Sequence, residues 1–153
     1  MLMLLFQIGV DRYALEASQV AEVLPMVHLQ RVPHAPPGVA GIFDYHGELV
    51  PVVDLNELML GRKANARIST RIILVRYQTE AGSRSFGLIA ERTTETLQRR
   101  REDFVEAGLR AGSVPLLERV TTDAKGVIYW VDAQRLRTGP LAGLLAEPKL
   151  QVA

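Results

Sequence analysis

The amino-acid sequence predicts a small all-β protein, either a barrel or a sandwich. About ten short apolar runs of strand length alternate with turn residues, at the spacing typical of consecutive hairpins. Stretches with helical features are few and short, and the chain contains neither a fixed-period repeat nor a Gly/Ser-rich linker. With 153 residues, of which 48% are hydrophobic, the chain is long enough for one sizeable core, so we expect residues 1–153 to form a single domain.

Two short strands begin the predicted fold. Residues 2–8 form an apolar run, and a turn at residues 9–11 leads into a second strand over residues 12–15. The later segment 22–32 mixes branched and polar side chains around Pro25. Because proline has no N–H to donate to a central ladder, this segment is predicted to be an edge strand or a bend.

A hairpin and a capped helix come next. Strands over residues 38–45 and 48–53 flank a tight turn at His46-Gly47. The carboxylate of Asp54 is placed to accept hydrogen bonds from the first backbone N–H groups of a short helix over residues 55–60.

The second half of the chain repeats this pattern of strand and turn. Predicted strands cover residues 71–77, 84–90, 94–97, 116–121 and 127–131. Residues 102–113 are mostly polar and are predicted to be a loop or a frayed helix. Asp132 is placed to cap one helical turn, and residues 141–146 are predicted to form a short terminal helix.

Composition and charge argue against several classes of function. Eighteen basic and 17 acidic residues leave a net charge of +1, which gives no overall positive field to hold nucleic acid or an anionic membrane. The chain has no cysteine, which excludes disulfides, thiolate metal ligands and cysteine nucleophiles. No apolar run has the length of a membrane span, and the N-terminal run lacks the basic flank of a signal peptide. We therefore expect a soluble, cytoplasmic protein without membrane insertion.

One predicted turn carries residues that would fit a catalytic site. Asp44, His46 and Glu48 crowd this turn in a carboxylate–histidine–carboxylate arrangement. Turns favour such residues for conformational reasons alone, so the favoured interpretation is a turn on a binding surface. The other two histidines, His28 and His34, do not stand at metal-ligand spacing, and the sequence lacks phosphate-binding glycine motifs. We expect no enzyme activity, no metal site and no cofactor.

The densest run of charge is Arg99-Arg100-Arg101. A nucleic-acid-binding barrel would combine such a run with stacking aromatic residues. The nearest aromatic residue in the sequence is Phe104, and Glu102 and Asp103 follow the arginines directly. A solvated loop is the favoured interpretation, and a β-barrel protein that binds nucleic acid through this run stays open as the alternative.

Apolar residues on either side of a proline define another candidate surface. Some of them must face the core, and the others would leave an exposed apolar groove of the kind that marks a protein partner site. These residues are Val20, Val23, Leu24, Met26 and Val27.

Several motifs in combination resemble one known family. Residues 39–61 read VAGIFDYHGELVPVVDLNELMLG, residues 84–97 read RSFGLIAERTTETL, and residues 126–136 read GVIYWVDAQRL. Together with Gly9, Tyr13 and the segment Val20-Ala21-Glu22-Val23, they resemble the CheW-like domains, which are adaptors that couple chemoreceptors to the histidine kinase CheA. The matching positions of the signature hairpin are Gly41, Asp44, Gly47, Pro51, Asp54 and Leu55. The resemblance spans nearly the whole chain.

The resemblance implies a fold and a function. The implied fold is all-β, with two small five-stranded SH3-like barrels packed together, a groove between them, and short helices. The implied function is that of a non-enzymatic scaffold in the cytoplasm, at membrane-associated receptor arrays. Its partners would be the signalling tip of methyl-accepting chemoreceptors and the regulatory domain of a CheA-type histidine kinase.

The resemblance also implies particular site residues. Receptor-binding positions would be Val20, Glu22, Val23, Gly41 and His46. Kinase contacts would lie in the second half of the chain, around Gly87, Thr93 and Thr96. A charged residue at the Gly41 position is expected to abolish receptor binding while leaving the fold largely intact.

Two residues depart from the pattern of the family. Its hairpin turn usually carries an arginine that can pair with the glutamate of the earlier strand, whereas this chain has His46 opposite Glu22. Arginine is always charged and histidine titrates near neutral pH, so the pair is expected to be weaker or sensitive to pH. Asp44 stands where the family often has asparagine. Both departures, with a first strand that begins at Leu2, suggest a specialised member, such as the WspB type of surface-sensing systems.

Overall fold

Strands make up most of the structure, which is a computed structural model and describes residues 1–106, 119–139 and 141–145. Its strands are β1 (Leu2–Ile8), β2 (Asp11–Glu16), β3 (Val20–Pro25), β4 (Val39–Tyr45), β5 (Glu48–Asp54), β6 (Arg71–Thr79), β7 (Gly82–Gln98), β8 (Val105–Glu106), β9 (Arg119–Asp123) and β10 (Gly126–Val131). Its helices are α1 (Leu55–Leu60) and α2 (Ala133–Thr138), and single 3₁₀ turns lie at Ala17–Gln19 and Arg101–Asp103. The predicted all-β fold with short helices is confirmed.

The strands pair into two sheets that share β7. The first sheet has the order β3-β6-β7-β5-β4, and the second has the order β7-β1-β2-β10-β9-β8. β7 pairs with β6 as far as Ala90 and with β1 from Glu91 onward. The pairings of β5 with β7 and of β2 with β10 are parallel. A single long strand therefore connects the two sheets covalently and through its hydrogen bonds.

The largest cluster of buried apolar side chains draws on both sheets. Phe6 and Leu15 of the second sheet share it with Phe86 of the first, and each of these side chains is almost fully buried. Smaller clusters belong to one sheet each, around Ile128 in the second and Ile72 in the first. Burying each large apolar side chain stabilises the fold by roughly 1.5–3 kcal/mol, so the shared cluster is the main force that holds the sheets together. The number of closed barrels and the extent of the domain over residues 1–153 stay predictions.

Asp54 fixes the position of α1, as the sequence predicts. Its Oδ1 accepts hydrogen bonds from the N–H groups of Asn56 and Glu57 at 2.9 and 3.2 Å. Its Oδ2 accepts a third hydrogen bond from the N–H of Ala64 at 2.9 Å. Because Asp54 is buried, one carboxylate holds together the end of β5, the start of α1 and the loop that follows it.

The main correction to the predicted elements concerns β7. The sequence predicts separate strands over residues 84–90 and 94–97, where the structure has one continuous strand. The polar residues between them account for the predicted break, and the backbone does bend there. Arg92 has a φ of 50°, and Thr93 Oγ1 donates a hydrogen bond to the carbonyl oxygen of Ala90 at 3.0 Å. The strand continues through this bend because its ladder passes from one partner strand to another.

The C-terminal half differs from prediction in other places. The predicted helix over residues 141–146 is replaced in residues 141–145 by turns, in which the N–H groups of Leu144 and Leu145 donate to the carbonyl oxygen of Leu141. Residue 146 lies outside the described residues. So do residues 107–118, which include most of the predicted loop and the start of the predicted strand over residues 116–121.

Candidate functional site

The edge strand β3 carries three of the candidate receptor-binding residues. It pairs with β6 through Val20 opposite Val75 and through Val23 opposite Ile73, with a bulge between Val20 and Glu22. Glu22 is exposed, whereas Val20 and Val23 are half-buried. β3 therefore presents one carboxylate and two partly exposed apolar side chains at the border of the first sheet.

The turn between β4 and β5 holds His46 in an exposed position. His46 has a φ of 51°, and Asp44 Oδ1 accepts a hydrogen bond from the N–H of Gly47 at 2.7 Å, which closes the turn. The imidazole packs edge-on against the ring of Tyr45, with 4.4 Å between ring centroids. The turn thus holds an aromatic pair at the surface, next to the β3 edge.

A groove of about 570 Å³ lies between β4 and the segment that follows β3. Two of its lining residues, Gln30 and Ile42, exchange a pair of backbone hydrogen bonds of 2.8 and 2.9 Å that joins the two segments. The groove is lined by Leu24, Val27, His28, Gln30, Ile42, Phe43, Asp44, Tyr45 and His46. Most of this lining is apolar or aromatic. Of the apolar residues predicted to border a groove, Leu24 and Val27 line it, whereas Val20, Val23 and Met26 do not.

Glu22 is held by Tyr45, not by His46. The hydroxyl of Tyr45 donates a hydrogen bond to Glu22 Oε2, and this bond raises the pKa of Tyr45, with smaller contributions from desolvation and from the charge of Glu22. Within the described ranges, Glu22 and His46 do not form an ion pair. The sequence leaves open whether His46 pairs with Glu22, and in this structure the carboxylate accepts a hydrogen bond from Tyr45 instead.

Comparisons with known proteins identify the family of this chain. A family model described as CheW-like domain matches residues 2–139. The chain belongs to the CheW-like domain family. Membership confirms the resemblance seen in the sequence, and it supports the prediction of an adaptor without enzyme activity.

Two curated relatives are similar to parts of the chain. It is 29% identical over 100 residues to the chemotaxis protein CheW of Helicobacter pylori, an alignment that covers 65% of this chain and 58% of that protein. It is 30% identical over 59 residues to the chemotaxis protein CheW of Treponema pallidum, which covers 39% of this chain and 35% of that protein. The chain thus matches less than two thirds of the length of either relative.

A solved structure shares the fold of this CheW-like chain. The crystal structure of the scaffolding protein TtCheW from Thermoanaerobacter tengcongensis superposes with a TM-score of 0.74 and 21% sequence identity. The match covers 88% of this chain and 86% of that one. This likeness confirms the predicted fold class.

Gly41 differs from the other candidate receptor-binding residues because it is buried. Its φ is +151°, and a Cβ at this position would lie 2.6 Å from the carbonyl oxygen of Gln30 and 3.0 Å from Cβ of Leu29. A side chain here would separate Gln30 from Ile42. The expectation that a charged substitution at Gly41 leaves the fold largely intact is therefore corrected, since any side chain there would collide with the backbone of Gln30.

Two of the three candidate kinase-binding residues are also interior. Gly87 is packed between β6 and β5, where a Cβ would lie 2.8 Å from Cγ2 of Ile72 and 3.2 Å from Cγ2 of Val52. Thr93 is buried, and only Thr96 is exposed. Of this set, Thr96 alone presents a side chain that a partner can touch.

The structure offers little for the catalytic and metal-site alternatives. Asp44 and His46 line the groove, but Glu48 does not, and Asp44 is already bonded to the Gly47 N–H. No group of three potential metal ligands occurs among the described residues. In the same part of the chain, no helix is long and apolar enough to cross a membrane.

The arginine run has an aromatic neighbour that could not be found from the sequence. Trp130 of β10 lies beneath Arg101 and Arg119, with Cζ atoms 5.9 and 5.5 Å from its ring centroid. The sequence separates these residues, and strand pairing between β9 and β10 brings Arg119 and Trp130 together. The only sequence signal for this cluster is the alternation of buried and less buried side chains along β10. That alternation does not show which other segment of the chain packs against Trp130.

Proposed function

We propose that this chain is a non-enzymatic adaptor that couples chemoreceptors to a CheA-type histidine kinase. The observation that carries the proposal is the CheW-like domain match across residues 2–139. The names of similar proteins agree with it, since two are called chemotaxis protein CheW and one solved structure is called a scaffolding protein. On this proposal the chain acts by holding two proteins in a fixed geometry, so that a change in one biases the other.

The proposed receptor contact is the groove of the first sheet with the β3 edge beside it. Half-buried Val20 and Val23 and the apolar groove lining would supply buried contact area. Exposed Glu22 and His46 would lie at the rim, where charge sets specificity and association rate more than affinity. Gly41 contributes indirectly, since its missing side chain allows the close approach of Gln30.

The proposed kinase contact lies on the second sheet, with Thr96 as its exposed marker. Thr96 pairs with Leu4 in the part of β7 that belongs to that sheet. The regulatory domain of the kinase would bind there, away from the groove of the first sheet. The two proposed contacts lie on different sheets. Because β7 belongs to both sheets, it would connect them.

The proposed location is the cytoplasm, at membrane-associated receptor arrays, and the proposed pathway is a surface-sensing one. The pathway assignment rests on His46 and Asp44, which replace the arginine and asparagine of the usual hairpin. A pull-down from the native cytosol tests the adaptor function and the pathway. Recovery of a CheA-type kinase supports the adaptor, and the companion domains of that kinase identify the output pathway. Failure to recover either a receptor or a kinase contradicts the proposal.

A direct binding measurement tests the receptor contact. Glu22→Lys reverses a charge on the proposed receptor face, and Glu80→Lys makes the same change at an exposed position in the turn between β6 and β7. We expect Glu22→Lys to weaken binding to a receptor signalling fragment roughly tenfold or more, and Glu80→Lys to leave it unchanged. Equal effects of the two variants, or a loss of thermal stability that matches the loss of binding, would contradict this contact.

A further inference from the structure

Two arginines from distant parts of the sequence lie over the single tryptophan of the chain, and the side chain of a third reaches a neighbouring strand. Arg101 and Arg119 lie over the ring of Trp130. Arg99 reaches the same strands, because its guanidinium donates a hydrogen bond to the carbonyl oxygen of Thr122 on β9 at 3.3 Å. We call these four residues, Arg99, Arg101, Arg119 and Trp130, the Arg–Trp surface. It lies on the second sheet and is separate from the groove.

The positive charge of this surface is not neutralised by ion pairs. Among the residues that the structure describes, Arg101 and Arg119 have no carboxylate within ion-pair distance. The guanidinium of Arg99 donates only to backbone carbonyl oxygens, which are neutral. Arg100, in contrast, pairs with Asp103 at 3.5 Å. Glu106 lies opposite Arg119 in the pairing of β8 with β9 without forming an ion pair with it, so the guanidinium groups of Arg101 and Arg119 remain available to a ligand.

The guanidinium groups are held in place by a rigid aromatic support. Trp130 packs against Phe104 with 4.9 Å between ring centroids, and Phe104 is buried in the core cluster of the second sheet. An arginine that rests on an aromatic ring loses less conformational freedom when it binds a ligand than one that extends into water. Arg101 and Arg119 are exposed while they rest on this support, so their N–H groups remain available.

We propose that the Arg–Trp surface binds an acidic segment of a partner protein. Planar guanidinium groups bind carboxylates through two parallel hydrogen bonds, and two such groups near one ring suit two neighbouring carboxylates. Glu102 follows Arg101 in the sequence and Glu106 lies opposite Arg119 across the pairing of β8 with β9, and both are exposed. These carboxylates would repel a long acidic segment, so the proposed segment is a short one. This proposal goes beyond the adaptor function, because it concerns a different face and a partner defined by its charge.

The local chemistry favours a carboxylate-bearing peptide over a nucleic acid. The ring of Trp130 is half-buried and already contacts Phe104 and two guanidiniums, so little of it is left for a stacked base. A continuous phosphate backbone would also pass Glu102 and Asp103, which would repel it. A short peptide with two or three carboxylates avoids both difficulties.

Trp130 reports directly on the test, because it is the only tryptophan of the chain. The probe is a short peptide in which three glutamates alternate with serines, and its control is the same peptide with glutamines. We expect the glutamate peptide to change the fluorescence of Trp130 and to bind at least tenfold more tightly than the glutamine peptide, with a marked loss of affinity in added salt. Iodide should quench Trp130 more strongly than caesium does, since the local charge is positive.

Matched double variants separate this surface from the overall charge. Arg101→Gln with Arg119→Gln should reduce binding of the glutamate peptide roughly tenfold and remove the preference for iodide. Arg62→Gln with Lys63→Gln removes the same charge from the exposed loop after α1 and should change neither. Equal effects of the two double variants overturn the proposal. So does tighter binding of a single-stranded oligonucleotide that depends on Arg101 and Arg119, which would make the surface a nucleic-acid site.

Discussion

The hydroxyl of Tyr45 donates a hydrogen bond to the carboxylate of Glu22, which joins the hairpin of β4 and β5 to the edge strand β3. Strands β3 and β4 are the opposite edges of the first sheet. The groove lies between β4 and the segment that follows β3. The bond therefore spans the border of the groove and gives the Glu22 carboxylate a defined position. In this chain a neutral hydroxyl, next to His46, holds the carboxylate of Glu22.

Tyr45→Phe is expected to weaken receptor binding without unfolding the protein. The substitution removes only the hydroxyl, so the ring stays against His46 and Phe43 while Glu22 loses its partner. Loss of one hydrogen bond to a charged group predicts a Kd for a receptor signalling fragment that rises roughly threefold to tenfold. The melting temperature should fall by no more than about 2 °C, because the bond is exposed.

His46→Gln is the control for this experiment. It removes the imidazole and leaves the Tyr45–Glu22 bond in place, so its effect on receptor affinity should be smaller than that of Tyr45→Phe. Tyr45→Phe should weaken binding by the same factor when it is added to His46→Gln as when it is made alone, since the bond to Glu22 does not involve the histidine. Loss of the Tyr45→Phe effect in the His46→Gln background would mean that the tyrosine acts through the histidine.

Glu22→Ala is expected to lower the pKa of Tyr45. The hydrogen bond to Glu22 is the main cause of the raised pKa of Tyr45, so removing the acceptor should return it toward the usual value of about 10. NMR of the labelled tyrosine ring carbons measures this shift. Tyr13 provides an internal control, because its pKa of about 12 is raised mainly by burial and should not respond. An unchanged pKa of Tyr45 would show that the bond does not form in solution.

Gly41→Ala is expected to destabilise the fold by about 2–4 kcal/mol. Its Cβ would lie 2.6 Å from the carbonyl oxygen of Gln30, which is backbone and cannot turn aside. Chemical denaturation measures the loss, and hydrogen exchange at the N–H groups of Gln30 and Ile42 should show that their paired bonds open first. Gln30 and Ile42 both line the groove. Opening their hydrogen bonds would change the shape of the groove and so weaken receptor binding.

Gly47→Ala separates backbone strain from steric clash. Gly47 has a φ of +88° in the hairpin turn, but a Cβ there would meet no atom within 4 Å. Its substitution should cost only the conformational penalty of about 1 kcal/mol. If the two alanine variants were equally stable, the close approach of Gln30 to Gly41 would not matter for folding.

Local features of the fold could be predicted from the sequence because their causes are local. The His46-Gly47 turn needs residues that tolerate a positive φ, and Asp54 lies directly before the helix that it caps. The continuity of β7 could not be predicted in this way. Its polar centre has the composition of a turn, and only the change of partner strand from β6 to β1 keeps it extended.

The interaction surfaces depend on contacts between residues that are far apart in the sequence. The family pattern placed Glu22 opposite His46, yet the side chain that reaches Glu22 belongs to Tyr45, one residue earlier. Similarly, Arg101 and Trp130 are 29 positions apart in the sequence, and only the fold brings the ring of Trp130 beneath the guanidinium. The burial of Gly41 and Gly87 could not be predicted either. Both match family motifs, yet both are packed closely against neighbouring segments. Motifs identify such positions, and only the fold decides which of them reach the surface.

Arg12 and Asp123 form a bidentate ion pair that predicts a particular response to pH. The Arg12 guanidinium donates to Oδ1 and Oδ2 of Asp123 at 2.7 and 2.6 Å, and it joins β2 to the turn between β9 and β10. This pairing holds the pKa of Asp123 well below its usual range. A carboxyl whose pKa is lower in the folded state stabilises the fold fully above the unfolded pKa of about 4, and the stabilisation is lost as the pH falls further.

A double-mutant cycle of Arg12→Gln and Asp123→Asn measures this stabilisation. We expect a coupling free energy of roughly 1–2 kcal/mol at neutral pH, since both side chains are partly buried and the pair is bidentate. The coupling should stay constant down to about pH 5 and shrink steadily toward about pH 2, as protons compete with the guanidinium for the carboxylate. A coupling that is the same near pH 3 and pH 7 would show that the pair does not lower the pKa of Asp123. Because Asp123 Oδ1 also accepts a hydrogen bond from the Lys125 N–H at 2.8 Å, which the amide oxygen of Asn can still accept, Asp123→Ala alone should cost more than Asp123→Asn alone.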